Sequence, residues 1–332
     1  MRLPGVGVGV GVAALLGACG GHAGEGPPIG DGPQRAIDAP SSIDTTTPTA
    51  DAWQWQTLIT NDWSQSPSGP IISCAWMLVQ QDMWIDGFRS SAMTEDNDHQ
   101  FLILTTDPSC STGRALEKTD ELLYGAGLGQ NEVDLPAGTA AHVSPSMLVN
   151  GTPQTTYLML YDHLAEGTGS GASSVDVHVV EQANVQHDVD LMLAGQGNIN
   201  VPTVEPAPST CLPAISSGYE VNIVGLWPHM HESGQHVTVA VGGTNILDTD
   251  YTYSNEQTYM QSATVGSMQN LSVTCTLQSA TTLTYGELKP ESAGNTVCWT
   301  GIYKWPTGAD TAALDYGPEQ CVQSSPSQYP QQ

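Results

Sequence analysis

Short apolar runs separated by turn-forming residues are the feature that most constrains this fold. Beyond Trp53, β-branched and aromatic residues alternate with clusters of Gly, Pro, Asn and Asp, and no long amphipathic helix competes with them. Runs of this length and period predict strands, and they fall at 71–79, 100–105, 155–161, 175–180, 219–227, 236–241, 270–277 and 298–303. We therefore expect an all-β protein built from antiparallel β-sandwiches.

The first nineteen residues have the pattern of an export signal. One cation, Arg2, precedes an uncharged Gly/Val/Ala/Leu stretch that is shorter than the roughly 20 residues needed to span a membrane. Its end, Leu16-Gly17-Ala18-Cys19, resembles the bacterial lipobox, in which the cysteine is lipidated and becomes the mature N-terminus. Residues 1–19 are thus predicted to be a lipoprotein signal peptide. Because Gly20 follows the cysteine, we expect an anchored protein at the outer membrane or surface of a Gram-negative cell.

Composition divides the rest of the chain. Residues 20–52 are rich in Gly, Pro and Thr with almost nothing apolar to bury, which predicts a flexible linker. A Pro-bearing stretch at 200–208 is the expected boundary between two sandwich domains, 53–200 and 201–330.

The charge balance excludes partners that bind to a basic surface. Seven Lys and Arg face 34 Asp and Glu, a formal net charge of -27. Such a chain has no basic surface for nucleic acid or for anionic lipid heads. Membrane attachment is therefore expected only through the lipid on Cys19, and no nucleic-acid partner is expected.

The sharpest arrangement of histidines closes the strand predicted at 219–227. Since strand side chains repeat every two residues, Tyr219, Val221, Ile223 and Trp227 are expected on one face, and His229 and His231 are expected to share a face. Two neighbouring imidazoles can hold one ion of Cu, Zn, Fe or Ni. The alternative is a pair of surface or turn histidines.

The sequence around this pair resembles that of a known family. Residues 219–234 are similar to the second-domain copper motif of the copper type II, ascorbate-dependent monooxygenases, and further matching segments follow in the family's order at 247–251, 255–257, 273–275, 285–287 and 298–303. The resemblance covers about residues 205–325 well and the first half more loosely. It implies two tandem jelly-roll-like sandwiches, two copper sites, and hydroxylation of an aliphatic C–H bond with O2 and ascorbate or another reductant. The substrate is expected to be a small molecule or a peptide, which the resemblance does not identify.

The resemblance also implies a ligand set. His229 and His231 would hold the copper that reacts with O2, and His99 and His163 would hold the copper that relays electrons. Gln100 stands where the family has a second adjacent histidine, and an amide is a poor copper ligand. The alternative interpretation of His99 and His163 is as polar residues at strand ends.

A second departure affects the other site. Val297 stands where the family has a methionine thioether, a ligand that favours Cu(I). Met230 is expected to point away from the histidines, whereas Met260 and Met268 are candidate substitutes. These departures leave open a protein that kept the fold but lost hydroxylation and serves as a copper-binding or surface-interaction lipoprotein. A zinc site on the same two histidines is a third hypothesis. The family matches none of His142, His178, His187 and His236.

The seven cysteines fit an oxidising compartment. With Cys19 lipidated, six remain, an even number compatible with three disulfides, and spacing alone does not choose among the pairings. The resemblance implies two pairs and leaves a third: Cys211 with Cys321, Cys275 with Cys298, and Cys74 with Cys110.

Overall fold

The structure is a computed structural model that describes residues 35–36, 54–64, 71–91, 97–110, 120–128, 132–149, 151–164, 169–196, 200–201, 204–211, 214–215, 220–266, 269–279, 282–285, 295–307 and 314–315. The predicted signal peptide, with Cys19, lies outside these residues. Within the described ranges, no helix is long and apolar enough to cross a membrane.

Strands form the first half of the described chain. In order they are β1 (Arg35–Ala36), β2 (Gln56–Ser64), β3 (Ile71–Leu78), β4 (Met83–Ser90), β5 (Asn97–Thr105), β6 (Glu121–Gly127), β7 (Glu132–Asp134), β8 (Thr139–Val143), β9 (Ser146–Val149), β10 (Thr152–Thr155), β11 (Tyr157–Leu164), β12 (Ser170–Val180), β13 (His187–Asp188) and β14 (Asp190–Gln196). A short 3-10 helix, η1 (Gln182–Asn184), precedes β13. Strand β1 falls inside the predicted linker, where it pairs in parallel with β3.

The second half continues in the same way. Its strands are β15 (Asn200–Val201), β16 (Val204–Cys211), β17 (Ala214–Ile215), β18 (Val221–Met230), β19 (Gly234–Val241), β20 (Thr244–Asp250), β21 (Ala263–Val265), β22 (Leu271–Gln278), β23 (Leu283–Tyr285), β24 (Asn295–Thr296), β25 (Cys298–Trp305) and β26 (Leu314–Asp315), with a 3-10 helix η2 (Tyr253–Asn255) after β20. All eight predicted strands are present, and the all-β prediction is confirmed.

Three large sheets build two sandwiches. The first part of a nine-stranded sheet, β1-β3-β11-β5-β6, packs on a six-stranded sheet that contains β2, β12, β4 and β8. The second part, β14-β25-β18-β21, packs on the four-stranded sheet β16-β22-β19-β20. The nine-stranded sheet contains strands from both sides of residue 200, and the domain boundary expected there stays a prediction.

The nine-stranded sheet folds back on itself, and this places the site. Strands β5 and β18 are four strand spacings apart, so a flat sheet would separate them by about 19 Å. Side chains of these two strands are nevertheless in contact, with ring centres of Phe101 and Trp227 5.8 Å apart. The two parts of the sheet are joined where β6 pairs with β14 through Leu122 and Leu191. Each sandwich thereby presents one outer sheet face to the other.

A bulge in β18 corrects one prediction about faces. Val221 and Ile223 share a face and pack in the second core. Trp227 lies on the opposite face of the strand and packs in the first core. The register against β25 shifts between Ile223 and Gly225, so one extra residue inverts the alternation. The shared face predicted for Val221, Ile223 and Trp227 is therefore wrong.

Two of the three expected disulfides lie within the described residues. Cys74 is bonded to Cys110, and Cys275 is bonded to Cys298, as predicted. The pairing of Cys211 with Cys321 is not tested, because Cys321 lies outside the described residues.

Candidate metal centre

Four histidines meet where the two sandwiches face each other. They are the four predicted ligands, His99, His163, His229 and His231, and all of them are buried. Consecutive ring centres are 4.6 Å apart for His99 and His163, 4.9 Å for His99 and His229, and 5.9 Å for His229 and His231. We name this group the histidine cluster.

The first pair is set by strand register. His99 on β5 lies directly opposite His163 on the antiparallel strand β11, so both rings project from the same face. Gln100 lies opposite Asp162 and takes the other face of the sheet. The structure therefore places Gln100 away from the histidine cluster, on the side of the first sandwich core.

Asp162 anchors the reverse side of this strand pair. Its carboxylate accepts hydrogen bonds from Asn61 at 2.6 Å, Ser173 at 2.6 Å and Asn97 at 2.8 Å. Burial raises the pKa of Asp162, and these hydrogen bonds oppose the rise. The network fixes β11 against its neighbours just before His163.

The second pair is held from β18. His229 pairs in register with Trp299 of β25, and its Nδ1 lies 3.2 Å from both carboxylate oxygens of Glu256. His231 follows β18 directly. Met230 between them packs in the second core, as predicted, so it does not face the cluster.

Glu256 is itself fixed by a buried tyrosine. The hydroxyl of Tyr251 donates to Glu256 Oε1 at 2.8 Å and accepts a hydrogen bond from the backbone N–H of Met230 at 3.0 Å. It also makes a short contact with the Met230 carbonyl. Burial raises the pKa of Tyr251 well above its usual range, so the hydroxyl remains a donor across the physiological range.

Aromatic rings surround the histidine cluster, and glycines on β6 allow neighbouring side chains to approach closely. Phe101 stacks on Trp299 with ring centres 6.0 Å apart, and Trp227 lies edge-on to Phe101. A Cβ at Gly125 would lie 2.3 Å from the Trp227 ring, and a Cβ at Gly127 would lie 2.1 Å from Glu256 Oε2. Glycine is therefore required on β6 for this close approach.

The donor chemistry of the cluster fits copper. Imidazoles that share one ion through metal–nitrogen bonds of about 2 Å have ring centres about 4.5 to 6.5 Å apart, and the three measured spacings fall in this range. His229 Nε2 is buried without a hydrogen-bond partner among the described residues. In the same part of the chain, no three His, Cys, Asp or Glu side chains are already arranged to hold a metal ion. Binding would thus need these rings to turn so that their nitrogens converge.

Of the two candidate thioether ligands, only Met260 lies within the described residues, and it is partly exposed. Val297 is fully buried in the first core. Met260 is 41% exposed and packs beside Gly225. Met268 lies outside the described residues.

The histidines without a family match lie elsewhere. His142 stacks on Trp84, and His187 stacks on Trp305. His178 binds Asp86, and its side chain is only 14% exposed, less than its strand phase predicts. His236 binds Asp248 and Asp250 with both ring nitrogens at the surface.

A small cavity lies behind Glu256. Its volume is about 70 Å³, and Tyr251, Asn255, Glu256 and Pro228 are among its lining residues. The histidines of the cluster do not line it. Sequence reasoning missed Glu256 and Gly127, because their role depends on a contact between segments far apart in the chain.

Fold and site together define an all-β protein of two sandwiches with a buried histidine cluster between them. No protein-family model matches the chain, and no curated protein matches it. Among solved structures, dimeric latent PorU from Porphyromonas gingivalis is similar at 12% identity and a TM-score of 0.20. That likeness covers 72% of this chain but only 24% of the PorU chain, and at this TM-score it carries no argument about function.

Proposed function

We propose that this protein is a copper-dependent, monooxygenase-like oxidoreductase whose metal centre is the histidine cluster. The observation that supports it best is a group of four buried imidazoles, two from each half of the chain. One of them, His229, has its Nδ1 beside the carboxylate of Glu256. Such carboxylate–histidine pairs are typical of metal sites, where they orient the ligand ring.

Copper is the metal that the donor set favours. The cluster is made of imidazoles, and copper has the highest affinity of the divalent first-row metals for such sites. Two disulfides join Cys74 to Cys110 and Cys275 to Cys298, so none of these four cysteines supplies a thiolate. The resemblance of residues 219–234 to a copper motif selects copper over zinc.

Bound copper would supply activation of O2 with electrons from ascorbate or another one-electron reductant, for hydroxylation of an aliphatic C–H bond. The chain would supply the surroundings. Trp227 and Trp299 exclude water from one side of the rings, and Glu256 holds His229. Such residues keep a reactive centre dry and fixed in geometry.

We further propose one shared metal centre. The resemblance implies two separate coppers, but the ring centres of His99 and His229 are 4.9 Å apart, nearly as close as the 4.6 Å between His99 and His163. Two ions held by these pairs would lie close together and repel each other, whereas rings at these spacings can share one ion. One ion per chain is the arrangement that this spacing favours.

A second candidate is copper binding without turnover. Complete burial of the four rings, the absence of a thioether at Val297 and the position of Gln100 away from the cluster each favour it. In that case the protein would serve as a copper-holding lipoprotein at the cell surface.

Oxygen consumption separates the two candidates. Copper-loaded protein with ascorbate is expected to consume O2 faster than the His229→Ala variant, whereas the surface variant His236→Ala should match the wild type. Copper binding with no O2 consumption above that of His229→Ala would favour the second candidate. Absence of copper binding would refute both.

The proposed anchor is tested separately. Expression with a labelled fatty acid should give a labelled protein in the membrane fraction, and Cys19→Ser should abolish the label. An equally labelled Cys19→Ser variant would contradict the lipoprotein assignment.

A further inference from the structure

The carboxylate of Glu256 is placed to decide which nitrogen of His229 can bind a metal. Both side chains are fully buried, and both carboxylate oxygens lie 3.2 Å from Nδ1. A carboxylate only accepts hydrogen bonds, and a neutral imidazole carries its single proton on one nitrogen. A carboxylate beside Nδ1 favours the tautomer with the proton on Nδ1, which leaves the lone pair on Nε2.

We infer that Glu256 is a positioning residue that fixes the tautomer and ring orientation of His229, so that Nε2 is its donor atom. This inference rests on the proposed function and deepens it. His229 Nε2 is buried and has no hydrogen-bond partner among the described residues, which is the state expected of a ligand nitrogen.

Tyr251 ties this carboxylate to the backbone of the motif. Its hydroxyl donates to Glu256 Oε1 and accepts from the N–H of Met230, the residue between the two histidines. A shift of Glu256 would therefore disturb the strand that carries His229. The backbone N–H of Glu256 donates to Leu128 just beyond β6, which fixes the loop against the first sandwich.

Gly127 provides the space for Glu256. It pairs in register with His99, and a Cβ there would lie 2.1 Å from Glu256 Oε2 and 2.3 Å from the carboxylate carbon. Real contacts are never so short, so any side chain at 127 would push the carboxylate off His229. A residue of the first half of the chain thus controls the orientation of a ligand in the second half.

The test compares two variants with matched controls. Glu256→Gln keeps the size of the side chain but removes its charge, and Glu181→Gln makes the same change at an exposed position. Gly127→Ala intrudes on the carboxylate, and Gly169→Ala adds the same methyl where nothing lies within 4 Å. Circular dichroism first establishes that each variant is folded.

Three measurements are made on each protein. Nitrogen NMR of isotope-labelled histidines in the metal-free protein reads the tautomer of His229, identified by its loss in His229→Gln. Competition with a copper chelator reads copper affinity, and electron paramagnetic resonance reads the ligand field of Cu(II). A merely structural role for Glu256 would change stability but neither the tautomer nor the spectrum.

The expected result is a protonated Nδ1 in the wild type and a mixed tautomer in Glu256→Gln and Gly127→Ala. Copper affinity should fall about 10- to 100-fold in both variants, with a changed Cu(II) spectrum and unchanged controls. A proton on Nε2 in the wild type, or an unchanged tautomer and affinity in folded Glu256→Gln, would overturn the inference. If the wild type binds no copper, the proposed function fails, and the tautomer alone decides whether Glu256 positions His229.

Discussion

Replacing Gly125 with alanine places a methyl group too close to the ring of Trp227. The added Cβ would lie 2.3 Å from Cζ3 and 2.7 Å from Cε3 of that ring, whereas carbon atoms pack at about 3.5 to 4.0 Å. Either the ring or strand β6 must move by more than about 1 Å. Trp227 also packs closely on the backbone at Gly301, where an added Cβ would lie only 2.9 Å from the same ring, so the ring has little room to move on that side.

The expected cost is at the upper end of the range for overpacking. We predict that Gly125→Ala lowers the free energy of unfolding by about 2 to 3 kcal/mol. Gly169→Ala is the control, with an expected change below about 0.5 kcal/mol, since nothing lies within 4 Å of its Cβ. Both are measured by guanidinium unfolding with the disulfides intact, followed by tryptophan fluorescence.

A double-mutant cycle tests the cause. In a Trp227→Ala background, which should itself cost about 3 to 5 kcal/mol, the methyl at 125 no longer meets a ring. Adding Gly125→Ala should then cost about 0.5 kcal/mol or less. An equal cost in both backgrounds would refute the contact between the two sandwiches on which the histidine cluster depends.

Three further predictions concern separate features. Burial and then the charge of Asp190 raise the pKa of Glu121 to about 8, so the folded state keeps a proton that the unfolded chain loses near pH 4.5. Stability should fall as pH rises between these values, and unfolding midpoints against pH should be flatter for Glu121→Gln. Replacing both Cys275 and Cys298 with alanine opens a loop of 23 residues, and calorimetry should show a loss of about 3 kcal/mol. Val297→Met overpacks a fully buried position of the first core, and guanidinium unfolding should show a stability lower by about 1 to 3 kcal/mol.

The sequence predicted the strands because their signal is local. Alternating apolar residues and flanking turn residues located all eight predicted strands, and short segments that resemble a copper-binding family indicated the four candidate histidine ligands. Residue Val224 shows where local reasoning fails. One extra residue in β18 inverts the faces after it, and strict alternation does not take account of Gly225, a strand glycine of the kind that marks a bulge.

The closeness of the two histidine pairs could not be predicted in the same way. It depends on how the two parts of the nine-stranded sheet, joined through β6 and β14, fold towards each other. Glu256 and Gly127 were missed for the same reason, since one supplies a carboxylate and the other supplies space only after the two sandwiches meet. A glycine on a strand predicts a close approach but not its partner.

The most direct test of a shared centre is the copper content of variants from each half of the chain. Mature protein is loaded with copper, freed of unbound metal and analysed for metal by mass spectrometry, together with His99→Ala, His229→Ala and the surface control His236→Ala. We predict one copper per chain in the wild type and the control, and a large loss in both His99→Ala and His229→Ala. Two coppers per chain, with each variant losing only one, would contradict the single centre.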